Sequence, residues 1–411
     1  MNVVKRLLVC AAVFYSSTVS SQDFSAIDSI LQLQINKYNT PGAVGLVIRD
    51  GKVLYDKAFG YSNLEQKTPM TNRSIFRIAS QTKAIISVAC LQLVEKGLIA
   101  LNDPIELYFS DFKNQKVISG SPTNYQLIEK IRPVTIRDLL THQAGISAAD
   151  EYPGFAFLFK QYNLDKPLNG SYATLAEEVT QIAKMPLMHQ PGERFSYGLS
   201  TNVIGALIEK ISGLRLDQYL QKNIFAPLGM KDTYFYLPTN KHDRLVKLYA
   251  KNSDTSLSEI SPALFNADYP LQKNSSYFSA IGGLVSTTHD YAKFLSCLLQ
   301  GGSIGNKKIL GQSFVDSLTT NQLGAKTFIF GGFPSLNNFG LGVGLTSAKG
   351  QVINNASERS FFWGGAFNTA YMVDPKRKLI TLFFMQRTPF ALSSVLSSLE
   401  KTTIKIIDQS K

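Results

Sequence analysis

The chain has 411 residues, of which 44% are hydrophobic and 18% charged, so it can bury a sizeable core and is not a disordered protein. Its 42 basic and 30 acidic residues give a net charge of +12. The basic residues are scattered, which favours a generally basic surface over a nucleic-acid site. Three cysteines and four histidines, without CxxC or HxxxH spacing, exclude a disulfide-rich scaffold and a zinc module.

The first 21 residues have the pattern of an export signal. Lys5 and Arg6 form a positive start, a short apolar run covers residues 7–15, and small residues follow through Ser21. The run is too short to span a bilayer, and no later apolar stretch reaches the length of a spanning helix. We therefore expect a signal peptide over residues 1–21, export to the periplasm or outside the cell, and no stable membrane span.

The rest of the chain predicts strands near both ends and helices between them. The N-terminal part predicts a helix over 23–39, a hairpin over 42–62 and an apolar helix over 80–96 that Gly97 closes. Further helices are predicted over 135–140, 174–184, 200–212 and 290–299. The C-terminal part predicts strands over 360–374 and 379–386, then an amphipathic helix over 390–408.

This order of elements predicts an α/β (α+β) fold in which both ends of the chain share one antiparallel sheet. The sheet would be flanked by the N-terminal and C-terminal helices. We assign residues 22–100 plus 275–411 to this sheet domain and residues 101–274 to an inserted, mainly helical domain. A cleft between the two is the expected site of chemistry. Cys90 and Cys297 lie in apolar, helix-like runs and are expected to be buried free thiols.

One candidate nucleophile is Ser303, in the sequence Gly-Gly-Ser-Ile-Gly at 301–305. This sequence matches the Gly-x-Ser-x-Gly pattern of a nucleophile elbow, which follows a buried strand and opens a helix. Here the pattern follows a predicted helix and leads into the polar residues 306–308. We interpret it as a glycine-rich turn.

The second candidate pattern, Ser-x-x-Lys, occurs three times. The copy at 110–113 lies in a polar connection, and the copy at 398–401 lies in the last helix, on a solvated face. The third copy, Ser-Gln-Thr-Lys at 80–83, begins the most apolar helix of the chain. Only this copy has a context that favours chemistry.

Ser80 and Lys83 are one helical turn apart, so both side chains can face the same space. The serine lies at a helix N-terminus, where unpaired N–H groups favour negative charge. Burial in the apolar helix would lower the pKa of Lys83, and a neutral amine is a general base for a serine nucleophile. The alternative is a capping serine followed by a surface lysine, and this helix alone does not decide between the two.

Four further segments follow in order and carry a family resemblance. They are Leu-Leu-Thr-His-Gln-Ala-Gly-Ile at 139–146, Tyr-Gly-Leu-Ser-Thr-Asn-Val-Ile-Gly at 197–205, Pro-Leu-Gly-Met-Lys-Asp-Thr at 227–233 and Trp-Gly-Gly at 363–365. Together with residues 80–83 they resemble the class C β-lactamase-like serine hydrolases, which include penicillin-binding peptidases. The Trp-Gly-Gly segment is most similar to the family VIII carboxylesterases.

The resemblance implies a role for each matching residue. Ser80 would be the acylated nucleophile, Lys83 its base, and Tyr197 a partner that moves protons with the lysine. The oxyanion hole would be formed by the backbone N–H groups of Ser80 and Ala366. His142 invites a role as a triad base, but the resemblance implies a structural one.

Two positions depart from the lactamase pattern. Leu199 replaces the asparagine of the usual Tyr-x-Asn motif, and Asn202 comes three residues too late to replace it simply. Trp363 replaces the usual lysine or histidine before Gly364 and Gly365. Both departures remove polar groups that bind a carboxylate, and Trp363 would give the substrate an apolar wall. We count Leu199 and residues 363–365 as substrate-binding positions.

These features predict an exported serine hydrolase that acts through an acyl-enzyme on small esters. No metal and no organic cofactor is implied. A D-alanyl-D-alanine peptidase acting on cell-wall peptides, or a weak β-lactamase, is the nearest alternative. A second alternative, a non-catalytic envelope binding protein, is disfavoured because the serine, lysine and tyrosine are all present.

Overall fold

The structure is a computed structural model that describes residues 22–165, 172–252, 256–260, 269–271, 275–330, 333–389 and 393–409. The helices are α1 (Ser25–Asn36), α2 (Thr82–Glu95), α3 (Ile136–Leu140), α4 (Ala156–Gln161), α5 (Leu175–Lys184), α6 (Ser200–Ser212), α7 (Leu216–Leu220), α8 (Ala226–Leu228), α9 (Thr288–Leu299), α10 (Gln312–Leu318), α11 (Gln351–Asn354) and α12 (Ser393–Gln409). The strands are β1 (Gly42–Arg49), β2 (Lys52–Asn63), β3 (Thr68–Pro69), β4 (Phe76–Arg77), β5 (Val117–Ser121), β6 (Asn124–Ile128), β7 (Tyr249–Lys251), β8 (Leu257–Glu259), β9 (Val285–Ser286), β10 (Ser303–Ile304), β11 (Lys307–Lys308), β12 (Ile329–Phe330), β13 (Phe333–Pro334), β14 (Asn338–Phe339), β15 (Gly344–Leu345), β16 (Phe361–Gly365), β17 (Thr369–Asp374), β18 (Leu379–Met385) and β19 (Arg387–Thr388).

An eight-stranded antiparallel sheet organises the molecule, in the order β14-β15-β16-β17-β18-β1-β2-β3. Its centre joins the two ends of the chain, because Ala43 of β1 lies opposite Met385 of β18. The hairpin predicted over 42–62 is the β1–β2 pair. The predicted fold class, a sheet shared by both ends with helices between them, is therefore confirmed.

Helices cover both faces of the sheet, as the alternation of side chains along β1 shows. Ala43 and Val47 point to the face that packs on α1 and α12. Val44 and Leu46 point to the opposite face, in the same core as the apolar residues of α2. Successive strand residues point to opposite faces, and β1 is apolar on both because both faces are covered.

The prediction of a strand over 360–374 is wrong in one respect, because the structure has two strands there, β16 and β17. These strands form an antiparallel hairpin. Asn368 makes the turn possible, since it adopts a φ of +65° and its N–H donates to the Gly365 carbonyl at 3.0 Å. The turn brings Ala366 close to the start of α2.

The middle of the chain contains α3 to α8, with the short hairpin β5–β6. The helix predicted over 200–212 matches α6, and Thr135 and Thr174 cap α3 and α5 through their side chains. The division into a sheet domain and a helical domain stays a prediction. No helix of the described ranges is long and apolar enough to span a membrane.

The structure also tests two further predictions. Cys90 and Cys297 are buried free thiols, as expected. The glycine-rich residues 301–305 form the start and tip of the hairpin β10–β11, which confirms the interpretation as a turn. The predicted signal peptide, 1–21, and the start of the predicted last helix, 390–392, lie outside the described residues.

Candidate active site

The site is built on α2, which is buried along almost its whole length. Every residue from Thr82 to Leu93 is buried, because α2 packs between the sheet and the helices of the middle region. Lys83 is only 3% exposed. Burial lowers the pKa of the Lys83 ammonium to about 7, although the nearby Asp150 carboxylate acts in the opposite direction. A neutral amine is therefore present at neutral pH.

Ser80 lies just before α2, in a 3-10 turn over Ala79–Gln81. The regular helix begins at Thr82 rather than at Ser80, and no side chain caps it. The Lys83 Nζ lies 3.3 Å from the Ser80 Oγ. Ser80 is partly exposed, so an external molecule can reach it. This geometry excludes the alternative of a capping serine followed by a surface lysine.

A backbone carbonyl that the sequence did not predict completes the surroundings of the lysine. Lys83 Nζ donates a hydrogen bond to the Ile281 carbonyl oxygen at 2.7 Å. The segment that carries this carbonyl is held against the start of α2, where Leu284 N–H donates to Thr82 Oγ1 at 3.2 Å and Ile78 N–H donates to the Leu284 carbonyl at 3.1 Å. A main-chain acceptor has no residue-type signature, so the sequence gives no sign of it.

Tyr197 joins the pair from the loop before α6. Its ring centre lies 4.6 Å from the Lys83 Nζ. Burial raises the pKa of the Tyr197 hydroxyl, while the neighbouring polar groups of Ser80 and Trp363 act in the opposite direction. The structure thus brings Ser80, Lys83 and Tyr197 together, as the resemblance implied. Their catalytic roles stay predictions.

Trp363 is in the site, and other aromatic side chains cover most of its ring. It is 5% exposed, and its ring packs 5.7 Å from that of Tyr197 and 5.3 Å from that of Phe339. The indole of Trp363 is a polar neighbour that lowers the pKa of the Tyr197 hydroxyl, against the effect of burial. Trp363 therefore packs against the tyrosine, and its role in substrate binding stays a prediction.

His142 packs on the other side of Tyr197, with the two ring centres 4.7 Å apart. It is fully buried, and burial together with the nearby Lys83 holds the pKa of its imidazole well below the usual value. The ring is therefore neutral. Its aromatic contacts with Tyr197, Phe195 and Phe339 agree with a structural role.

The predicted oxyanion hole would lie where β16 ends beside the turn that carries Ser80, and it stays a prediction. Gly365 is required there, because a Cβ at this position would lie 2.3 Å from the Ile78 carbonyl oxygen. Gly364 precedes it on the strand, and Ala366 follows it. Within the described part of the chain, neither the Ser80 N–H nor the Ala366 N–H donates a hydrogen bond to another residue. Both donors are available to an oxyanion.

Leu199 is not brought to the site, which corrects its assignment as a substrate-binding residue. It is 2% exposed and lines a small interior cavity with Ser147 and Gln115. The preceding residue explains this placement, because Gly198 packs directly on the Ser147 backbone. The side chain of Leu199 contributes to the core.

The beta-lactamase family model matches residues 27–395. The chain belongs to the beta-lactamase family. Monacolin J acid methylbutanoyltransferase of Aspergillus terreus is 28% identical over 386 residues, which cover 89% of this chain and 91% of that protein. Lovastatin esterase of Penicillium rubens is 27% identical over 372 residues, which cover 86% and 90%.

A comparison with solved structures also supports the beta-lactamase fold. The structure of EstCE1, described as a hydrolase with promiscuous acyltransferase activity, aligns with a TM-score of 0.78 at 21% identity. The alignment covers 92% of this chain and 98% of that one. The resemblance inferred from the motifs is therefore confirmed, and the chain is a serine hydrolase of the beta-lactamase fold.

Proposed function

We propose that the protein hydrolyses small, uncharged esters through an acyl-enzyme on Ser80. One observation carries this proposal. Lys83, with a pKa near 7, lies 3.3 Å from the Ser80 Oγ, and the serine is open to solvent. A buried neutral amine beside an accessible hydroxyl is the arrangement that activates a serine nucleophile. The related lovastatin esterase and methylbutanoyltransferase, whose names denote acyl chemistry, support it.

In the proposed reaction, Ser80 Oγ attacks the ester carbonyl carbon while its proton passes to Lys83 Nζ. The N–H groups of Ser80 and Ala366 stabilise the oxyanion of the tetrahedral intermediate. The intermediate collapses and expels the alcohol, which takes its proton from Lys83 through the Tyr197 hydroxyl. Water then attacks the acyl-enzyme carbonyl carbon and gives a proton to the Lys83 amine. The second tetrahedral intermediate collapses to release the acid, and Lys83 returns that proton to Ser80 Oγ.

Two acidic residues near the site, Asp150 and Glu151, act against a negatively charged substrate. Asp150 acts on Lys83, and Asp150 and Glu151 both act on Tyr197, so negative charge reaches the site from this loop. A cephalosporin or a D-alanyl-D-alanine peptide carries a carboxylate, which these two residues would repel. An uncharged ester meets no such repulsion. This supports the esterase over the penicillin-recognising alternative.

A side-by-side assay tests the proposal, using a short aryl ester, a chromogenic cephalosporin and a D-alanyl-D-alanine peptide. We expect kcat/KM on the ester to exceed that on the cephalosporin by at least about two orders of magnitude. Asp150→Asn should narrow this gap by weakening the repulsion. Equal rates on the ester and the cephalosporin would replace the esterase proposal with the penicillin-recognising one.

We also propose that the protein is exported, with residues 1–21 removed. The support is the sequence pattern alone, a positive start followed by a short apolar run and small residues. Expression in a bacterial host should give a periplasmic or secreted protein whose intact mass lacks these residues. A cytoplasmic protein that keeps Met1 to Ser21 would contradict this proposal.

A further inference from the structure

Asn202 lies behind the lysine, in a polar cluster enclosed between α5 and α6. Its carboxamide nitrogen donates to Glu178 Oε2 at 2.7 Å, and its carboxamide oxygen accepts from the Ile281 N–H at 3.0 Å. Tyr277 Oη also donates to Glu178 Oε2, at 2.8 Å. Asn202 and Glu178 are fully buried. These partners fix the orientation of the amide, because its NH2 must face the carboxylate and its oxygen must face the N–H.

Asn202 and Lys83 both form hydrogen bonds with the backbone of Ile281. Ile281 donates its N–H to Asn202 and accepts from Lys83 Nζ through its carbonyl oxygen. Three residues after Ile281, the Leu284 N–H donates to Thr82 Oγ1 at the start of α2. Asn202 therefore fixes one end of a short segment whose other end is tied to α2.

The direction of the Ile281 carbonyl matters for the chemistry. A neutral amine has two N–H groups and one lone pair. One N–H of Lys83 is directed to the Ile281 oxygen, and the Tyr197 ring lies 4.6 Å from the nitrogen. This arrangement leaves the lone pair for the Ser80 hydroxyl, 3.3 Å away. A lysine without this acceptor could rotate about its flexible stem and turn the lone pair away.

We propose that Asn202 is a positioning residue for Lys83, which it aligns with Ser80 by holding the Ile281 carbonyl in place. This proposal rests on the proposed function of Ser80 and Lys83. Asn202 touches neither the serine nor the lysine, so it would act on the rate of acyl transfer rather than on the binding of substrate.

The chain contains a matched control on the opposite face of the sheet. Asn354 Nδ2 donates to Glu400 Oε2 at 2.6 Å, and Asn354 Oδ1 accepts from the Ala356 N–H at 3.1 Å. This pair is also buried, and it ties α11 to α12. It reproduces the amide, the carboxylate and the backbone N–H of the Asn202 cluster, without a link to Lys83.

The experiment compares Asn202→Leu with Asn354→Leu in the full-length protein. Three quantities are measured for each: the rate constant of Ser80 labelling by a fluorophosphonate, kcat and KM on a short aryl ester, and the melting temperature. Both variants should melt at a lower temperature. Asn202→Leu should lose about 30-fold to 100-fold in kcat and in the labelling rate constant, with KM within about threefold. Asn354→Leu should keep the wild-type rate constants.

A second pair of variants covers the case in which Asn202→Leu does not fold. Asn202→Asp keeps an acceptor for the Ile281 N–H but places two carboxylates together, so it should label slowly. Adding Glu178→Gln restores one carboxylate and one amide, and should return the labelling rate constant to within about threefold of wild type.

The possible failures are distinct. A wild-type protein that does not label at Ser80 overturns the proposed function and the positioning role together. A wild-type protein that labels, with a folded Asn202→Leu that labels equally fast, overturns the positioning role alone. Equal losses of rate in the Asn202 and Asn354 variants would also overturn it, because they would reflect lost stability only.

Discussion

Ser80 and Ser303 both lie in sequences typical of a nucleophilic serine, and their surroundings differ in the lysine beside them. Lys83 is buried, with its amine 3.3 Å from the Ser80 hydroxyl. Lys308 faces Ser303 across the hairpin β10–β11 and is 62% exposed, with its amine paired to Glu95 at 2.8 Å. Burial allows Lys83 to lose its proton near neutral pH.

The comparison teaches that burial, rather than the motif, creates a base. The glycines around Ser303 serve the hairpin, since Gly302 has a φ of +88° and a Cβ there would lie 2.2 Å from the Leu310 carbonyl oxygen. The residues around Ser80 belong to a helix without a solvent face. A spacing of three residues places two groups near each other, and the environment decides their protonation.

The largest effect should come from removing each hydroxyl in turn. Ser80→Ala should reduce esterase activity by at least about a thousandfold, because no other group can form the acyl-enzyme. Ser303→Ala should leave activity within about twofold of wild type. Kinetic assays and mass spectrometry of the fluorophosphonate adduct check both. An adduct on Ser303 would show that Ser303, not Ser80, is the nucleophile.

The next effect concerns the two lysines. Lys83→Arg keeps the charge but cannot accept a proton, so it should lose about a thousandfold in kcat, whereas Lys308→Ala should lose little. Activity requires the neutral form of Lys83, whose pKa is about 7. The wild-type kcat/KM should therefore rise from acid pH through about pH 7 and level off above it. A flat profile between pH 5 and 9 would show that the lysine supplies only charge.

A smaller effect should follow from the influence of the Trp363 indole on the pKa of Tyr197. Trp363→Phe keeps an aromatic ring but removes the indole N–H, so the pKa of Tyr197 should rise further and proton transfer should slow. We expect kcat to fall by about tenfold, which corresponds to about 1.4 kcal/mol. Phe339→Leu, which disturbs the packing around Trp363 but keeps its indole N–H, is the control. Equal losses in both variants would assign the effect to packing.

The smallest effect on activity tests whether the burial of a titratable group is enough by itself to influence catalysis. Glu400 is buried far from either serine, and burial raises the pKa of its carboxyl to about 7. The folded state therefore holds this proton more tightly than the unfolded state, and the stability that it confers is lost as pH rises from about 4.5 through 7. Glu400→Gln should remove up to about 3 kcal/mol of this pH dependence.

Melting temperatures at pH 5 and pH 8 measure that effect, with the esterase activity followed in parallel. Glu400→Gln should reduce the difference in melting temperature between the two pH values and leave kcat unchanged. A fall in kcat would mean that buried titratable groups outside the site also govern the chemistry.

Local patterns predicted much of the fold. The hairpin over 42–62 and the helix over 200–212 are predictable because their signals are local in sequence. Each has a regular spacing of apolar residues and a glycine, Gly51 or Gly213, that marks a turn or an end. The turn at residues 366–368 was missed because Ala-Phe-Asn lacks the glycine or proline that marks most turns. Asn368 was the available sign.

The candidate site was predictable where it depends on side chains at short spacing. Ser80 and Lys83 are three residues apart, and the apolar helix around them indicates burial. Ile281 acts through its carbonyl, which every residue has. Asn202 comes too late after Tyr197 to be the asparagine of the motif, so the sequence gives it no role. Only the packing of α6 shows that it contacts Ile281. Leu199 was misplaced because motif alignment does not show which way a side chain points.

The pairing of β1 with β18 also affects how the chain is made. Ala43 lies opposite Met385 and Arg49 opposite Leu379, so the central pair of the sheet joins the first strand to be synthesised with one of the last. On the ribosome, the hairpin β1–β2 must wait for that partner while β1 has an unpaired backbone edge and two uncovered apolar faces. Contacts this distant in sequence form slowly, because the loop entropy is lost before the contacts are gained. The nascent chain is thus a natural client for chaperones until its last strands emerge.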